Sequence, residues 1–432
     1  MSAQSQVSQP EAPALPVPPP AAAAAGRPEP GSIPRPDFGS ARFKADPFAY
    51  YARLRAEAPV FPMMIFGHQP GWLVTRYDDV VAVLKHPSLG KDRFSKLSEA
   101  ERAKMPWFFR YFLPLMQNML ERDPPDHTRL RGLVHKAFTP HLVERLRGRV
   151  QQLTDQLLDA AMKRRSMDLV ADYALPLPVT IIAEMLGVPV GDRAKFHRWS
   201  GKLVSNTSML ETLIAIPAVL GFTRYIRKLI EKRRASPGDD LLTALIQAEE
   251  AGDRLSQEEL VSMVFLILVA GHETTVHLIA NGLLALLQHP DQLERLRKDP
   301  ALIGSAVEEL LRFTCPVELA SMRVAREDFV LAGTKILRGD YVAAVIASAN
   351  RDERQFANPD MLDLGREPNR HLGFGMGIHY CLGAPLARLE GAIAIQNAIQ
   401  RLPELRLAVP ARKLRWRTGY IIRGVRKLPV AF

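Results

Sequence analysis

Residues Phe374 to Gly383 read FGMGIHYCLG. Three glycines, Gly375, Gly377 and Gly383, surround Cys381, one of only two cysteines in the chain. Glycine lets a backbone adopt φ > 0 or pass close to a flat group. The pattern that follows, from about Leu382 to Gln400, predicts a long helix, which places Cys381 just before a helix N-terminus. The unpaired N–H groups there favour thiolate over thiol, and thiolate is the metal-binding form. Phe374 is placed to pack against a planar macrocycle, and His379 to donate to a carboxylate on its edge. A lone cysteine beside a helix is more often a small buried residue. The whole FxxGxHxCxG spacing is what points to a ligand.

Three further stretches carry chemistry. Asp123 to Phe138 read DPPDHTRLRGLVHKAF. Its His127 and Arg131 are four apart, so on a helix they face the same way, and both can donate to carboxylates. Ala270 to Thr275 read AGHETT. Small Ala270 and Gly271 leave room beside a helix, and Glu273 and Thr274 set an acid and an alcohol next to that space. Threonine hydroxyls in mid-helix bond back to the carbonyl one turn earlier and bend the helix. Glu309-Leu310-Leu311-Arg312 places opposite charges at i and i+3 on one face. Such a pair alone is weak, because surface helices carry many.

Together and in this order, the four stretches resemble the motifs of the cytochrome P-450 family of haem-thiolate monooxygenases, from about residue 46 to the C-terminus. The resemblance implies a single-domain fold, mainly α with minor β, with a long central helix over the haem. It implies haem b with Cys381 as its axial thiolate and Phe374, Ala270 and Gly271 beside it. His127, Arg131, His379 and Arg323, in SMRVAREDFVLAG, would hold the propionates. Glu273 and Thr274 would be catalytic: the alcohol steadies bound dioxygen and the acid helps deliver protons. Arg366 would complete the Glu309–Arg312 network. The cofactor would carry the oxidation, inserting one oxygen atom from O₂ into a small hydrophobic substrate by hydroxylation or epoxidation. A peroxygenase or isomerase of the same class is the alternative, disfavoured by the acid–alcohol pair. No flavin or iron–sulfur segment is recognisable, so electrons are expected from a separate ferredoxin or flavodoxin. Arg129, Lys136 and Arg388 form a candidate docking face for it.

Composition narrows the remaining classes. Two cysteines, Cys315 and Cys381, exclude a disulfide framework and a four-cysteine zinc site, and fit a reducing cytoplasm. HETTVH resembles a zinc-peptidase motif, but its second histidine, His277, falls at i+5, off the ligand face. The net charge is +11, and the stretch KLRWRTGYIIRGVRK is strongly basic. Its alternation suits a half-buried strand, and no helix-turn-helix or zinc-finger spacing supports nucleic-acid binding. The apolar run Val261–Gly271 is too short to span a bilayer, and the Pro-broken N-terminus lacks the charge of a signal peptide. No membrane anchor is expected.

The Pro- and Ala-rich residues 1–37 read as a disordered tail, with the enzyme domain at 38–432. GWLVT, 71–75, reads as a strand. Asp78 or Asp79 is expected to cap a helix to Lys85. Helices are expected over about 128–162 (broken at Pro140), 177–187, 192–204, 209–235, 239–250, 256–288, 291–297 and 301–313. Strands are expected at Phe329–Leu331, Tyr341–Ile346 and in the YII and LPV segments of the tail. Apolar residues without period suggest a substrate wall over Met105–Leu120. Met209–Phe222, Phe265, Val269, Val317–Ala320 and Ile421 are further candidates, fitting a terpenoid, steroid, fatty acid or polyketide. Glu318 is the ionisable exception, meeting either an amine or hydroxyl of the ligand or water at the rim.

Overall fold

The computed structural model describes residues 33–65, 69–92, 107, 111–204, 209–250 and 252–432. Its frame is the 32-residue helix Gln257–Gln288. Ser256 starts it with a capping box: its hydroxyl accepts from Glu259 N–H while the Glu259 carboxylate accepts from Ser256 N–H. Most of its side chains are apolar and buried, so a helix at the centre of the core is the arrangement that hides all its faces. It packs against Pro176–Met185, Ile303–Thr314 and Ala384–Arg401. Glycines permit the close approaches: a Cβ at Gly391 would lie 2.8 Å from Leu278, and one at Gly282 3.3 Å from Leu310 and Ile395.

By length and composition this helix could cross a membrane. The expectation of a run too short to span is therefore corrected. Its burial among other helices is what explains its apolar character.

The minor β part is a five-stranded sheet in the order Val60–Ile65, Gln69–Val74, Tyr341–Ala344, Arg323–Ala325 and Leu89–Gly90. Val60–Ile65 runs antiparallel to Gln69–Val74, which pairs in parallel with Tyr341–Ala344. A second buried cluster, including Tyr51, Phe61, Leu73 and Val342, sits around this sheet. The mainly α, minor β expectation holds.

Local readings fared unevenly. The predicted helix over 128–162 is three: Asp126–Ala137, Pro140–Arg145 and Arg147–Met162. Pro140 starts a helix rather than only breaking one, capped by the Thr139 hydroxyl. Neither Asp78 nor Asp79 caps Tyr77–Lys85; both lie in its first turn, and the Asp352 carboxylate accepts Tyr77 N–H at 2.8 Å instead. The helix expected over 239–250 stops at Gln247, and Glu249–Glu250 is strand. The YII segment forms one isolated bridge, Ile422 to Val317, whereas LPV contributes to a strand, Pro429–Ala431. Residues 1–32 of the expected tail lie outside the described residues. Residues 33–37 are not tail: Ile33 is buried, Pro34 O accepts from the Tyr50 hydroxyl at 2.7 Å, and Arg35 lies over the Phe61 ring.

Candidate active site

The loop before Ala384–Arg401 brings the cysteine to the core. Cys381 N–H donates to Phe374 O at 2.9 Å, and Gly375 N–H to Leu372 O at 2.8 Å. Gly375 and Gly377 have φ of +70° and +75°, which side-chain-bearing residues adopt with strain. At Gly377 a Cβ would also lie 3.1 Å from Leu84 O. The helix begins at Ala384, two residues later than expected, with Pro385 in its first turn. Cys381 is half-buried. Burial pushes its thiol pKa up, against the backbone N–H groups of Gly383 and Ala384 and the charges of Arg131 and Arg388. The helix N-terminus thus favours thiolate as expected, but burial outweighs it. A metal cation at Sγ is what would deprotonate such a thiol outright. Phe374 lies under the Arg388 guanidinium, 4.5 Å from its ring centre.

Beside the cysteine loop stands a cluster of one sign. His127, on Asp126–Ala137, is 2% exposed, and its ring centre is 4.3 Å from that of His379. Among the described residues neither His127 ring nitrogen has a hydrogen-bond partner. Arg131, one turn on, donates to Tyr380 O at 2.9 Å. Arg323 is buried, with its pKa pushed down to about 10 by burial. Burial, then Lys91, His127, Arg323 and Arg131, hold His379 down to about 2. Asp123 is the acid nearby, and it is already engaged with Lys91 N–H, Asp92 N–H and Arg326. A buried histidine, a half-buried one and two arginines converge, with no negative group among the described residues left unengaged beside them. Such groups are costly unless an anion joins them. Every predicted carboxylate-binding residue is in this cluster. Lys91, which sequence reading missed, carries no motif that would have flagged it.

The central helix supplies the third part. Ala270 is exposed although most of the helix is buried, so open volume adjoins it there. A Cβ at Gly271 would lie 2.9 Å from Ile182 Cδ1. Thr274 Oγ1 donates to Ala270 O at 2.8 Å and Thr275 Oγ1 to Gly271 O at 3.0 Å, the back-bonding that loosens a helix. The Glu273 carboxylate is 2.6 Å from Arg417 Nη2. Burial raises the Glu273 pKa and Arg417 pulls against it, with burial the larger. The zinc reading finds no support: His272 Nδ1 is bonded to Leu268 O of its own helix, and among the described residues no three His, Cys, Asp or Glu side chains gather for a metal.

Behind these parts, Arg312 makes a fork to Glu309, both bonds 2.7 Å, with both residues fully buried. Arg366 adds bonds to Glu309 at 3.1 and 3.2 Å. The expected three-residue brace is therefore assembled.

Two expectations need correction. Glu318 meets neither ligand nor rim water. It is fully buried, 2.5 Å from Lys44 Nζ and from the Tyr51 hydroxyl. The basic docking face is thinner than predicted, because Arg388 is forked to Glu308 and Arg129 is paired with Asp253 and Glu259. Lys136 is exposed. Of the expected substrate wall, residues 105, 106 and 108–110 lie outside the described residues. Phe112 and Leu115 belong to the main core, as do Phe222 and Phe265. Ile421 and Ile214 are exposed.

A cysteine-centred loop, an anion-seeking cluster and a central helix with an acid–alcohol pair define a haem-thiolate protein. Comparison with known proteins agrees. The family model described as Cytochrome P450 matches residues 30–405. The polyketide biosynthesis cytochrome P450 PksS of Bacillus subtilis (strain 168) is 45% identical over 392 residues, 90% of this chain and 96% of that one. The cytochrome P450 monooxygenase PikC of Streptomyces venezuelae is 45% identical over 394 residues, 90% of this chain and 91% of that one. The crystal structure of myxobacterial cytochrome P450 CYP267B1 with myristic acid superposes with a TM-score of 0.85 at 47% identity, covering 92% of this chain and 99% of that one. This chain belongs to the cytochrome P450 family. It is a haem-thiolate monooxygenase with haem b as cofactor, acting with O₂ on a hydrophobic substrate.

Proposed function

We propose that Cys381 Sγ is the axial ligand and that His127, Arg131, Arg323 and His379 hold the carboxylate edge of the haem. The observation that carries this is His127: a buried imidazole with both nitrogens unpartnered, among cationic groups and beside the cysteine loop. The other cysteine, Cys315, is fully buried and donates to Val317 O. When bound, the haem supplies the O₂ chemistry. Phe374, Gly375 and Gly377 shape the loop on the cysteine side, and Ala270 leaves room on the other, whereas Gly271, expected to do the same, is the close approach to Ile182.

Glu273 and Thr274 move protons. Burial raises the Glu273 pKa, and the Arg417 guanidinium opposes that rise. At equal burial, a swing away from Arg417 removes that opposing charge and favours uptake of a proton, which is released on return. Thr274 Oγ1, freed from Ala270 O, presents its proton to the open side of the helix. This acid–alcohol pair favours O₂ activation over a peroxygenase or isomerase role.

The substrate we infer is a hydrophobic product of secondary metabolism such as a polyketide, since PksS, 45% identical, is named for polyketide biosynthesis. Electrons come from a ferredoxin or flavodoxin in the cytoplasm. The test is the difference spectrum of the reduced protein with carbon monoxide. A red-shifted thiolate-type Soret band that is lost in Cys381→Ser supports the assignment. A histidine-type band, or a thiolate band that persists in that variant, refutes it.

A further inference from the structure

The C-terminal half of the central helix borders a cleft of about 500 Å³ that the monooxygenase reading does not use. One wall is a stack that alternates aromatic rings and guanidinium groups. Arg423 lies 4.2 Å from the Trp416 ring centre and 4.9 Å from that of Phe48. Arg351 lies 4.2 Å from the Phe48 centre and 3.8 Å from that of Phe313. Arg412, exposed, stands at the edge. No acidic side chain lines the cleft among the described residues.

The charges here are only partly compensated: buried Glu318 offsets Arg423 in part, and Arg351 Nη2 donates to Phe313 O at 2.9 Å. Arg351 and Arg423 are 5% and 6% exposed. Arg423 spends its N–H groups on backbone carbonyls of Lys44, Ala45 and Thr314. Arg351 has an acid, Asp360, at 2.7 Å, but that carboxylate is 74% exposed and screened by water. Arg351 Nε has no hydrogen-bond partner among the described residues. Burial pushes both guanidinium pKa values down. Opposite the cations, Leu284 and Leu414 give the cleft an apolar side. Its volume falls in the range of small-molecule sites, roughly 300–1,000 Å³.

We propose that this cleft is a second small-molecule site, which binds a soluble amphipathic oxyanion: an aryl or alkyl phosphate or carboxylate. The head group meets Arg351 and Arg412, where planar guanidinium donors match its oxygens. The body lies along Trp416 and Leu284.

The experiment is calorimetric titration of the haem-loaded enzyme with phenyl phosphate, with benzyl alcohol and inorganic phosphate as controls and the Soret band recorded throughout. The variants are Arg412→Glu and Gln288→Glu, both at exposed positions on the wall, with thermal unfolding recorded to show that they fold. One phenyl phosphate is expected per chain, with the Soret band unchanged. Benzyl alcohol should not bind, and inorganic phosphate should bind more weakly. Affinity should fall about tenfold or more in each variant, the scale of one charge-assisted contact, and should weaken as salt rises. Equal affinity in Arg412→Glu and the parent would overturn the proposal. So would binding that shifts the Soret band, which places the probe in the substrate cavity. Retention on phosphatidylglycerol vesicles with no phenyl phosphate binding would assign the charges to a lipid surface instead and equally end it.

Discussion

Two buried charged clusters flank the cysteine loop, and they are built on opposite principles. Around Glu309, two arginines, Asn369 and the Asp363 N–H all donate to one carboxylate, while Arg312 spends its remaining donors on three carbonyls. Charge and hydrogen bonds close within the chain. Around His127, the charged side chains that press on His379 are all cations, and among the described residues neither His127 ring nitrogen is paired, while Arg131 reaches only a backbone carbonyl, Tyr380 O. A closed network stabilises the fold by itself; an open one costs stability until a ligand completes it. Burial of polar groups thus separates architecture from binding site here, where residue type alone does not, since both clusters are rich in arginine.

The comparison breaks first if the closed cluster can be opened cheaply. Glu309→Gln leaves Arg312 and Arg366 without their charge partner, and should cost about 3–5 kcal/mol in urea unfolding of the holoenzyme. A cost under about 1 kcal/mol would mean that the network is not what braces the fold. Glu318→Gln, which strands buried Lys44, should destabilise similarly while leaving substrate affinity unchanged. The open cluster should respond in the reverse sense. Arg323→Met should speed haem transfer to an acceptor protein by about ten- to a hundredfold, the scale of a lost charge-assisted bond, yet leave the haem-free chain as stable or more so. Loss of stability with haem retention intact would erase the distinction.

Smaller effects sharpen it by pH. His277 is buried on the central helix with both ring nitrogens unpartnered, and burial holds its pKa down to about 3 from an ordinary 6.5. Between those values the unfolded chain carries a proton that the folded chain does not, so stability falls as pH falls below about 6.5. His277→Asn should flatten that slope by up to about 1.4 kcal/mol per pH unit, seen in unfolding free energies from pH 7 to 5. Glu308, half-exposed, is held down to about 2 by Arg388 and His371, against its burial. Its contribution is present above the ordinary 4.5 and lost as pH falls toward 2. Glu308→Gln should remove a modest part of the acid slope there and nothing near neutrality.

What the sequence revealed follows the range of the contacts. The cysteine loop, the Glu309–Arg312 fork and the Thr274 back-bond join residues within a few positions, and their spacing carries the geometry. Arg417 could not be read as the partner of Glu273, nor Asp352 as the cap of Tyr77. Each lies far along the chain, where periodicity says nothing about distance. Glu318 was misplaced for the same reason: neighbours on a predicted lining gave no hint of Lys44 and Tyr51 from the first helices. Arg129 and Arg388 looked like free surface charge because their acids, Glu259 and Glu308, sit on other helices.

Lys44 also constrains how the chain can be made. Its ammonium is fully buried against Glu318 and Tyr420 O, 274 and 376 residues downstream. At a synthesis rate of about 5–20 residues per second, Tyr420 follows Lys44 off the ribosome by roughly 20–75 s. For that whole interval the helices around Lys44 carry a cation whose buried partners do not yet exist, so their final packing waits for the C-terminal part of the fold.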